Sequence, residues 1–526
     1  MNWYKLAKNE GIKLQLTSQE KSIFDFIKEA RNVYLPNMQL RIVGGWVRDR
    51  ILNKISDDID VSVSGGNGHV VAEAVRKYDL EKTGGKHTGT PYSVSLEKST
   101  EKPSGKSAGL LVGAVDINGI KVEFVPMRKE SYSSDSRIPN IEATDDPRED
   151  VLRRDLTINA IYYNLDTGEV EDYSGGINDL KNGVIKTPTD PIKTLTEDPL
   201  RAMRALRFLS QMRGFKMDPS LIEALSSPLV HESYSKKVAP ERVRKELEKL
   251  ALGKNPADAL RILFASGLYH LVFNTDKMKD FKHISMDQQN PKHAYNLLEH
   301  TVNVVKNLND MLIEANVPDE DRLIAVLAAI FHDFGKMDPK ISRPSKSTPG
   351  AMSYPGHEDV SAEIAEEVLR RLGFGNERFL VEKIVKEHMR PHGEMETPKS
   401  IGKFLREFDS LKMQDDRKSK LWRLTWLHAV ADSMSKGAVD YHEDVKHKQD
   451  KMKTIEDFIN NQASMGKKPL LDGKEIMQMF PEINPKTGFI KIMQEALLQA
   501  QDEGKVIDKN SAEKFLKDNK NNLMTI

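Results

Sequence analysis

The 526-residue sequence contains no cysteine. Disulfides, thiolate metal sites and thiol nucleophiles are therefore excluded, and any metal must be held by His, Asp or Glu. Long apolar runs are missing as well: none approaches the roughly 18 residues of a spanning helix. The N-terminus, MNWYKLAKNEG, lacks the apolar core of a signal peptide. No membrane association and a cytoplasmic location are therefore expected. Nor does charge of one sign prevail, since 79 Lys and Arg balance 79 Asp and Glu. Proteins that coat nucleic acid through charge alone are usually basic, so RNA binding would need a local basic groove. What is present is a globular mix, 38% hydrophobic and 30% charged, in a chain long enough for about three or four domains.

Residues 1–35 read as a polar lead-in with one amphipathic helix around Ser22–Val33. From Gln39 to about Leu165, short apolar runs alternate with glycines: LRIVGG, DIDVSV, GLLVGAV, IKVEFVPM and INAIYYNL. Their length and β-branched content predict strands. Glu97–Ala108, polar with Pro and Gly, reads as a mobile loop. From Asp198 onward the spacing becomes helical, as in RAMRALRFLSQM and PERVRKELEKLAL, and no comparable strand signal follows about Lys186. The expected fold is an α/β head followed by a long all-α body.

In RIVGGWVRDRILNKISDDIDVSVSG (41–65), a strand runs into Gly44-Gly45 and then a helix pattern. Glycines let backbone amides approach a phosphate, the helix start adds partial positive charge, and Arg48 in the first turn can add a bidentate contact. Asp58 and Asp60 open the next apolar run. On a strand, residues two apart share a face, so both carboxylates would aim at one place. Carboxylates with substrate phosphates suit Mg²⁺, and two such ions can serve phosphoryl transfer. Glu123 is the candidate third acid, with Asp116 second. A GG turn or a DxD alone is common in loops; the ordered combination within 25 residues is much more specific.

This segment resembles the signature of class II nucleotidyltransferases of the polymerase-β superfamily, the family of the tRNA nucleotidyltransferases. The resemblance continues in order through VEFVPMRKESYSSDSRIPNIE, LRRDLTINAIYYN, VEDYSGGINDLKNGVIKT, TEDPLRAMRALRF and PERVRKEL. It implies attack of a tRNA 3′-hydroxyl on the α-phosphate of CTP or ATP, releasing pyrophosphate. It also implies that Arg153, Arg154 and Asp155 hold sugar and phosphates, with Asp155 accepting from a ribose hydroxyl. Glu197 and Asp198 are expected in the first turn of a helix, with Asp198 and Arg201 on one side. A carboxylate accepts and a guanidinium donates. That pair suits the adjacent donor and acceptor of cytosine and adenine, and leaves guanine and uracil mismatched. Arg204 and Arg207 continue the stripe toward the triphosphate, and this local basic stretch reconciles RNA binding with zero net charge.

The C-terminal half carries His300, His332-Asp333, His357, His388 and Asp432 within a helical pattern. Imidazole with carboxylate suits Mn, Fe, Ni, Co, Zn or Mg. The order H…HD…H…H…D resembles the HD phosphohydrolase superfamily. The resemblance implies His300, His332, Asp333 and Asp432 as metal ligands, with His357 and His388 at a second metal or the phosphate. It further implies phosphatase or 2′,3′-cyclic phosphodiesterase activity, useful in repairing tRNA ends. The domains implied are a nucleotidyltransferase head (1–165), a helical neck binding base and tRNA (166–275), an HD-type domain (276–440) and a helical tail (441–526). In the tail, PEINPKTGFIKIM replaces the glycine-proline-rich turn usual after the DGK segment, which puts tail contacts to tRNA in question. Other readings are a poly(A) polymerase or an enzyme adding only CC or only A. From other classes come a (p)ppGpp-handling protein, which would order its domains differently, and a non-catalytic RNA-binding scaffold.

Overall fold

The computed structural model describes residues 12–56, 58–95, 110–131, 139–291, 293–393, 397–409, 415–437, 441–462, 469–483 and 488–524. The predicted loop Glu97–Ala108 lies outside them. The chain divides into two compact units, Met1–Phe273 and Asn274–Ile526.

The first unit is built on a seven-stranded sheet. In chain order its strands are β1 (Leu40–Val43), β2 (Ile59–Val63), β3 (Tyr92–Ser95), β4 (Leu111–Ile117) and β5 (Ile120–Pro126). After the two strands of a separate hairpin, β6 (Arg128–Ser131) and β7 (Asn140–Ala143), come β8 (Ile161–Asn164) and β9 (Val170–Asp172). The order across the sheet is β3-β4-β5-β2-β1-β8-β9. Among the described residues of this sheet only β2 and β5 pair in parallel, with Asp60 in register with Glu123. All five predicted apolar runs contribute strands. The sheet continues through Asp172, past residue 165 where the head was expected to end.

Helix Ser18–Tyr34 starts at a capping box between Thr17 and Glu20 and buries Ile23, Phe24 and Ile27. It contains the predicted Ser22–Val33 segment. Helix Gly68–Thr83 packs so closely on the sheet that a Cβ at Gly68 would lie 1.9 Å from the Phe124 carbonyl oxygen. At the glycine-containing turn, the Asp172 carboxylate accepts the amides of Ser174, Gly175, Gly176 and Ile177. A side chain at Gly176 would strike the Thr157 carbonyl, at 2.1 Å. Beyond the sheet the unit is helical, apart from two-residue strands at Val184–Ile185 and Lys216–Met217.

Among its described residues, the regular structure of the second unit is helical except for the short strand pair Arg343–Pro344 and Met352–Ser353. Leu297–Glu314, Asp319–Phe331, His357–Arg371, Glu377–Glu387 and Asp415–Met434 pack around an apolar interior including Val304, Leu308, Ile330, Ile384 and Trp426. Gly473–Met479, Phe489–Asp502 and Lys509–Leu523 share a smaller core of Leu471, Ile476, Met493, Leu497 and Leu516. No helix among the described residues is long and apolar enough to cross a membrane.

Candidate functional site

Parallel pairing of β2 with β5 sets Asp60 beside Glu123, and β1 brings Val43, just before Gly44, opposite Asp60. Gly44 has φ +81°, a backbone conformation that glycine adopts without strain, and this turn lies against Asp60, whose Oδ2 is 3.6 Å from the position of a Cβ at Gly44. Burial pushes the Asp60 carboxyl up to about 6; Glu123 and Asp58 add to the rise, against Arg154 and Lys121. Asp60 thus feels the negative charge of both Glu123 and Asp58, which a divalent cation would relieve, although Glu123 pairs with Lys121 and the three carboxylates do not close into a compact ligand group in this state. Asp58 differs from expectation in one respect: β2 begins at Ile59, so Asp58 is an exposed residue just ahead of the strand. Asp116, the second candidate for the third acid, is exposed on β4 and registers with Lys121 rather than with the Asp60 row.

Beside the acids lies a connected set of arginines. Arg153 and Arg154 follow helix Pro147–Leu152, and both grip Asp150, with nitrogen–oxygen distances of 2.7 Å. Asp150 is fully buried and also accepts from the Tyr162 hydroxyl at 2.6 Å and the Arg128 amide at 3.1 Å. Burial alone would raise its carboxyl, but Arg154, Arg153, Tyr162 and the Arg128 amide hold it well below the carboxylate range. Asp155 accepts both Nε (2.9 Å) and Nη2 (2.6 Å) of Arg204 on one oxygen, and the Leu156 amide and Asn159 on the other. Despite burial, these partners hold its carboxyl at about 2. Asn159 also accepts from Arg48 at 2.8 Å, and Arg207 pairs with Glu246 at 2.7 Å. In this state the acceptor directions of the Asp155 carboxylate, expected to meet a ribose hydroxyl, are taken by Arg204, the Leu156 amide and Asn159.

The EDxxR segment departs further. Helix Pro191–Glu197 ends at Glu197, Asp198 is extended (φ −129°, ψ 95°), and the next helix starts at Leu200. Pro199 is the cause, because its ring disfavours helical geometry in the residue before it. Asp198 meets Arg242 at 3.4 Å and the Leu200 amide at 3.3 Å. Buried Arg201 donates instead to the carbonyls of Thr194 (3.1 Å) and Arg153 (2.7 Å). Asp198 and Arg201 are thus neighbours in the chain without a mutual side-chain bond in this state.

The histidines of the second unit do converge. His332 ends helix Asp319–Phe331, His357 begins His357–Arg371, His388 ends Glu377–Glu387, and Asp432 lies on Asp415–Met434. A Cβ at Gly335 would lie 2.3 Å from the His357 carbonyl oxygen, so the glycine after His332-Asp333 lets these segments meet. His300, His332 and Asp432 form one potential ligand group; Asp333, His357 and His388 form another. In all four histidines Nδ1 faces a backbone carbonyl: Ser435 for His300 (3.1 Å), Ala329 for His332 (2.9 Å), Tyr354 for His357 (2.7 Å) and Val385 for His388 (2.5 Å). A carbonyl only accepts, so Nδ1 carries the hydrogen and Nε2 points its lone pair inward.

These Nε2 atoms face acids: His300 lies 2.9 Å from Asp432 and 3.4 Å from Asp333, His332 3.2 Å and His357 3.1 Å from Asp333. A lone pair opposite a carboxylate is repulsive unless a proton or cation lies between. Although burial opposes it, Asp333 and Asp432 raise His300 to about 9, which expresses the same demand for positive charge. The donor set fits one or two divalent ions.

The sequence reading missed several neighbours. His392 meets Asp432 at 2.9 Å, and fully buried His428 stacks edge-on against His332 and His388. Both were legible as helix-turn partners, four residues from His388 and Asp432 respectively. Asp150 was equally legible, three and four residues before Arg153 and Arg154. The pocket of about 280 Å³ over the histidine cluster is lined by Lys336, His392, Asp432, Lys436, Asp444 and Lys448, among others.

Comparison with known proteins bears on both units. Residues 40–186 match the poly A polymerase head domain, 214–275 the probable RNA and SrmB-binding site of polymerase A, and 297–417 the HD domain. The chain is 33% identical over 297 residues to the mitochondrial CCA tRNA nucleotidyltransferase of Saccharomyces cerevisiae, covering 54% of this chain and 53% of that one. To the CCA-adding enzyme of Limosilactobacillus reuteri it is 35% identical over 232 residues, 43% of this chain and 49% of the other. The chain spans about half the length of the curated relatives it matches. A solved CCA-adding enzyme (apo form II) shares the fold with a TM-score of 0.59 at 18% identity, covering 96% of each chain. The Thermotoga maritima CCA-adding enzyme complexed with tRNA does so with a TM-score of 0.55 at 19% identity, again 96% of each.

Proposed function

We propose that the chain is a CCA tRNA nucleotidyltransferase that adds C, C and A to tRNA 3′ ends from CTP and ATP without a nucleic-acid template. The observation that carries this reading is the register of Asp60 with Glu123 beside the Gly44 turn and the arginine cluster. The similarity to proteins named as CCA-adding enzymes gives it its substrates. The tRNA 3′-oxygen forms a bond to the α-phosphorus of the nucleotide. The bond from that phosphorus to the bridging oxygen breaks, pyrophosphate leaves, and the hydroxyl proton passes to solvent. Mg²⁺ held by Asp58, Asp60 and Glu123 would supply activation of the hydroxyl and charge for the leaving group. Gly44 and Gly45 bring backbone close to the phosphates. Arg48, Arg153, Arg154, Arg204 and Arg207 neutralise the triphosphate, with Asp150, Asp155, Asn159 and Glu246 fixing their directions.

Base selection is assigned to Asp198 and Arg201, with Arg201 exchanging its two carbonyl contacts for a base edge. A cytoplasmic setting is consistent with the sequence; the relatives include mitochondrial forms. Incubating the protein with tRNA ending at the discriminator base and each nucleotide decides the reading: addition stops after C, C and A, whereas long A tracts would identify a poly(A) polymerase.

The second unit supports a second activity, metal-dependent phosphoester hydrolysis at tRNA ends, as phosphatase or 2′,3′-cyclic phosphodiesterase. His300, His332, Asp333 and Asp432, with His357 and His388, would hold Mg²⁺ or a transition metal, which would supply an activated water. The inward Nε2 atoms favour this reading. Water oxygen bonds to phosphorus, the phosphorus–oxygen ester bond breaks, and the leaving oxygen takes up a proton. Hydrolysis by protein supplied with Ni²⁺ or Mn²⁺ should exceed that of His332→Ala; equal rates would remove the assignment.

A further inference from the structure

The HD pocket also holds a charge arrangement that metal binding alone does not use. Lys448, on helix Tyr441–Gln462, is only 2% exposed. Lysines are almost never buried unless paired, because a desolvated ammonium is costly. Its ion-pair partner, Asp444, also meets Lys436 at 3.7 Å, so one carboxylate serves two ammonium groups. The other acids of the pocket are engaged elsewhere: Asp333 with Lys336 and four histidines, and Asp432 with His300 and His392. Those two acids are also the ones a cation would take. The two lysines come from separate segments, Lys436 just after helix Asp415–Met434 and Lys448 from the next helix, whose backbone is pinned by Trp426 Nε1 donating to the Lys448 carbonyl at 2.8 Å. All of these groups line one cavity.

We propose that Lys436 and Lys448 form a phosphate seat in this pocket and select ligands ending in a phosphate dianion, phosphomonoesters in preference to phosphodiesters. This rests on the reading of the pocket as a phosphoesterase site and assigns its specificity. A monoester offers three non-bridging oxygens and up to two negative charges; a diester offers two and one. Two ammonium groups sharing a single acid leave one positive charge in excess, and that excess is satisfied better by the dianion. Hydrogen bonds to charged groups of this kind are worth about ten- to a hundredfold in affinity.

The test uses the full-length, Mn²⁺-loaded protein with inorganic phosphate as the calorimetric probe. It also compares hydrolysis of a nucleoside 3′-monophosphate with that of the matching 2′,3′-cyclic phosphate. Lys436→Met and Lys448→Met are compared with Lys448→Arg, which keeps the charge, and with Lys446→Met, an exposed lysine on the same helix. Metal content and circular dichroism establish that each variant is folded and loaded. Should Lys448→Met fail that control, half-buried Lys436 carries the test. Phosphate binding is expected to weaken about tenfold or more in each Met variant. KM for the monoester should rise while cyclic-ester hydrolysis changes little, Lys448→Arg should retain much of the binding, and Lys446→Met should match wild type. Equal phosphate affinity in wild type and both Met variants, or equal losses on both esters, overturns the proposal. If wild type binds phosphate through these lysines yet hydrolyses neither ester, the seat stands and the phosphoesterase reading fails.

Discussion

Asp150 gives the sharpest test of how the head is held together. Its buried carboxylate is shared by Arg153, Arg154, the Tyr162 hydroxyl and the Arg128 amide. In Asp150→Asn the volume is kept, but one oxygen becomes an NH₂ group facing donors, and two largely buried guanidiniums lose their counter-charge. Breaking a buried ion pair while leaving its partner costs about 3–5 kcal/mol. For a unit of this size that lowers the midpoint of thermal unfolding by roughly 6–20 °C. Circular dichroism melting of wild type, Asp150→Asn and the exposed control Glu232→Gln measures it. The variant should also lose nucleotide affinity, because Arg153 and Arg154 lose their fixed directions. The pH dependence has a definite sign. The folded carboxyl titrates well below its unfolded value of about 3.9. Its stabilisation is therefore complete above about pH 5 and is lost as pH falls through 3.9 toward the folded value. That acid limb should be shallower in Asp150→Asn. A melting midpoint within about 2 °C of wild type, with an unchanged acid limb, would refute the reasoning.

Asp60→Asn should lower nucleotide incorporation at least about a hundredfold yet raise the melting temperature of metal-free protein, since the folded carboxyl is raised to about 6 and its charge is therefore unfavourable at neutral pH. Mg²⁺ should then stabilise wild type and not the variant, as thermal shift would report; a variant that melts lower and still responds to Mg²⁺ would count against the acid cluster as the ion site. His388→Ala should lower the bound metal per chain without unfolding the unit, as elemental analysis and circular dichroism would show; unchanged metal content would remove the Asp333–His357–His388 group as a site. Arg201→Lys should relax discrimination against GTP and UTP in single-addition assays, whereas Arg242→Ala should leave it intact; the reverse pattern would move base reading to the Asp198–Arg242 pair.

The sequence by itself determined the elements and the chemical inventory. Short β-branched runs divided by glycines predicted strands of an α/β head, and the spacing after Asp198 predicted helices, because each period fixes which side chains share a face. Motif order likewise gathered the acids, arginines and histidines of both sites. Tertiary structure decided the pairing. Parallel register of β2 with β5 set Glu123, and not Asp116, beside Asp60, a non-local pairing that no local pattern encodes. Packing filled the acceptors of Asp155 with Arg204 and tied Arg201 to two carbonyls, so partners that looked evident along the chain were taken by groups distant in sequence. Pro199 interrupts the helix expected at Glu197, a boundary legible in the sequence because a residue before proline is driven out of helical geometry. Only the three-dimensional arrangement set Lys436 and Lys448 on one acid in the cavity that the histidines also line, because charge sharing depends on distances that the order of residues does not contain.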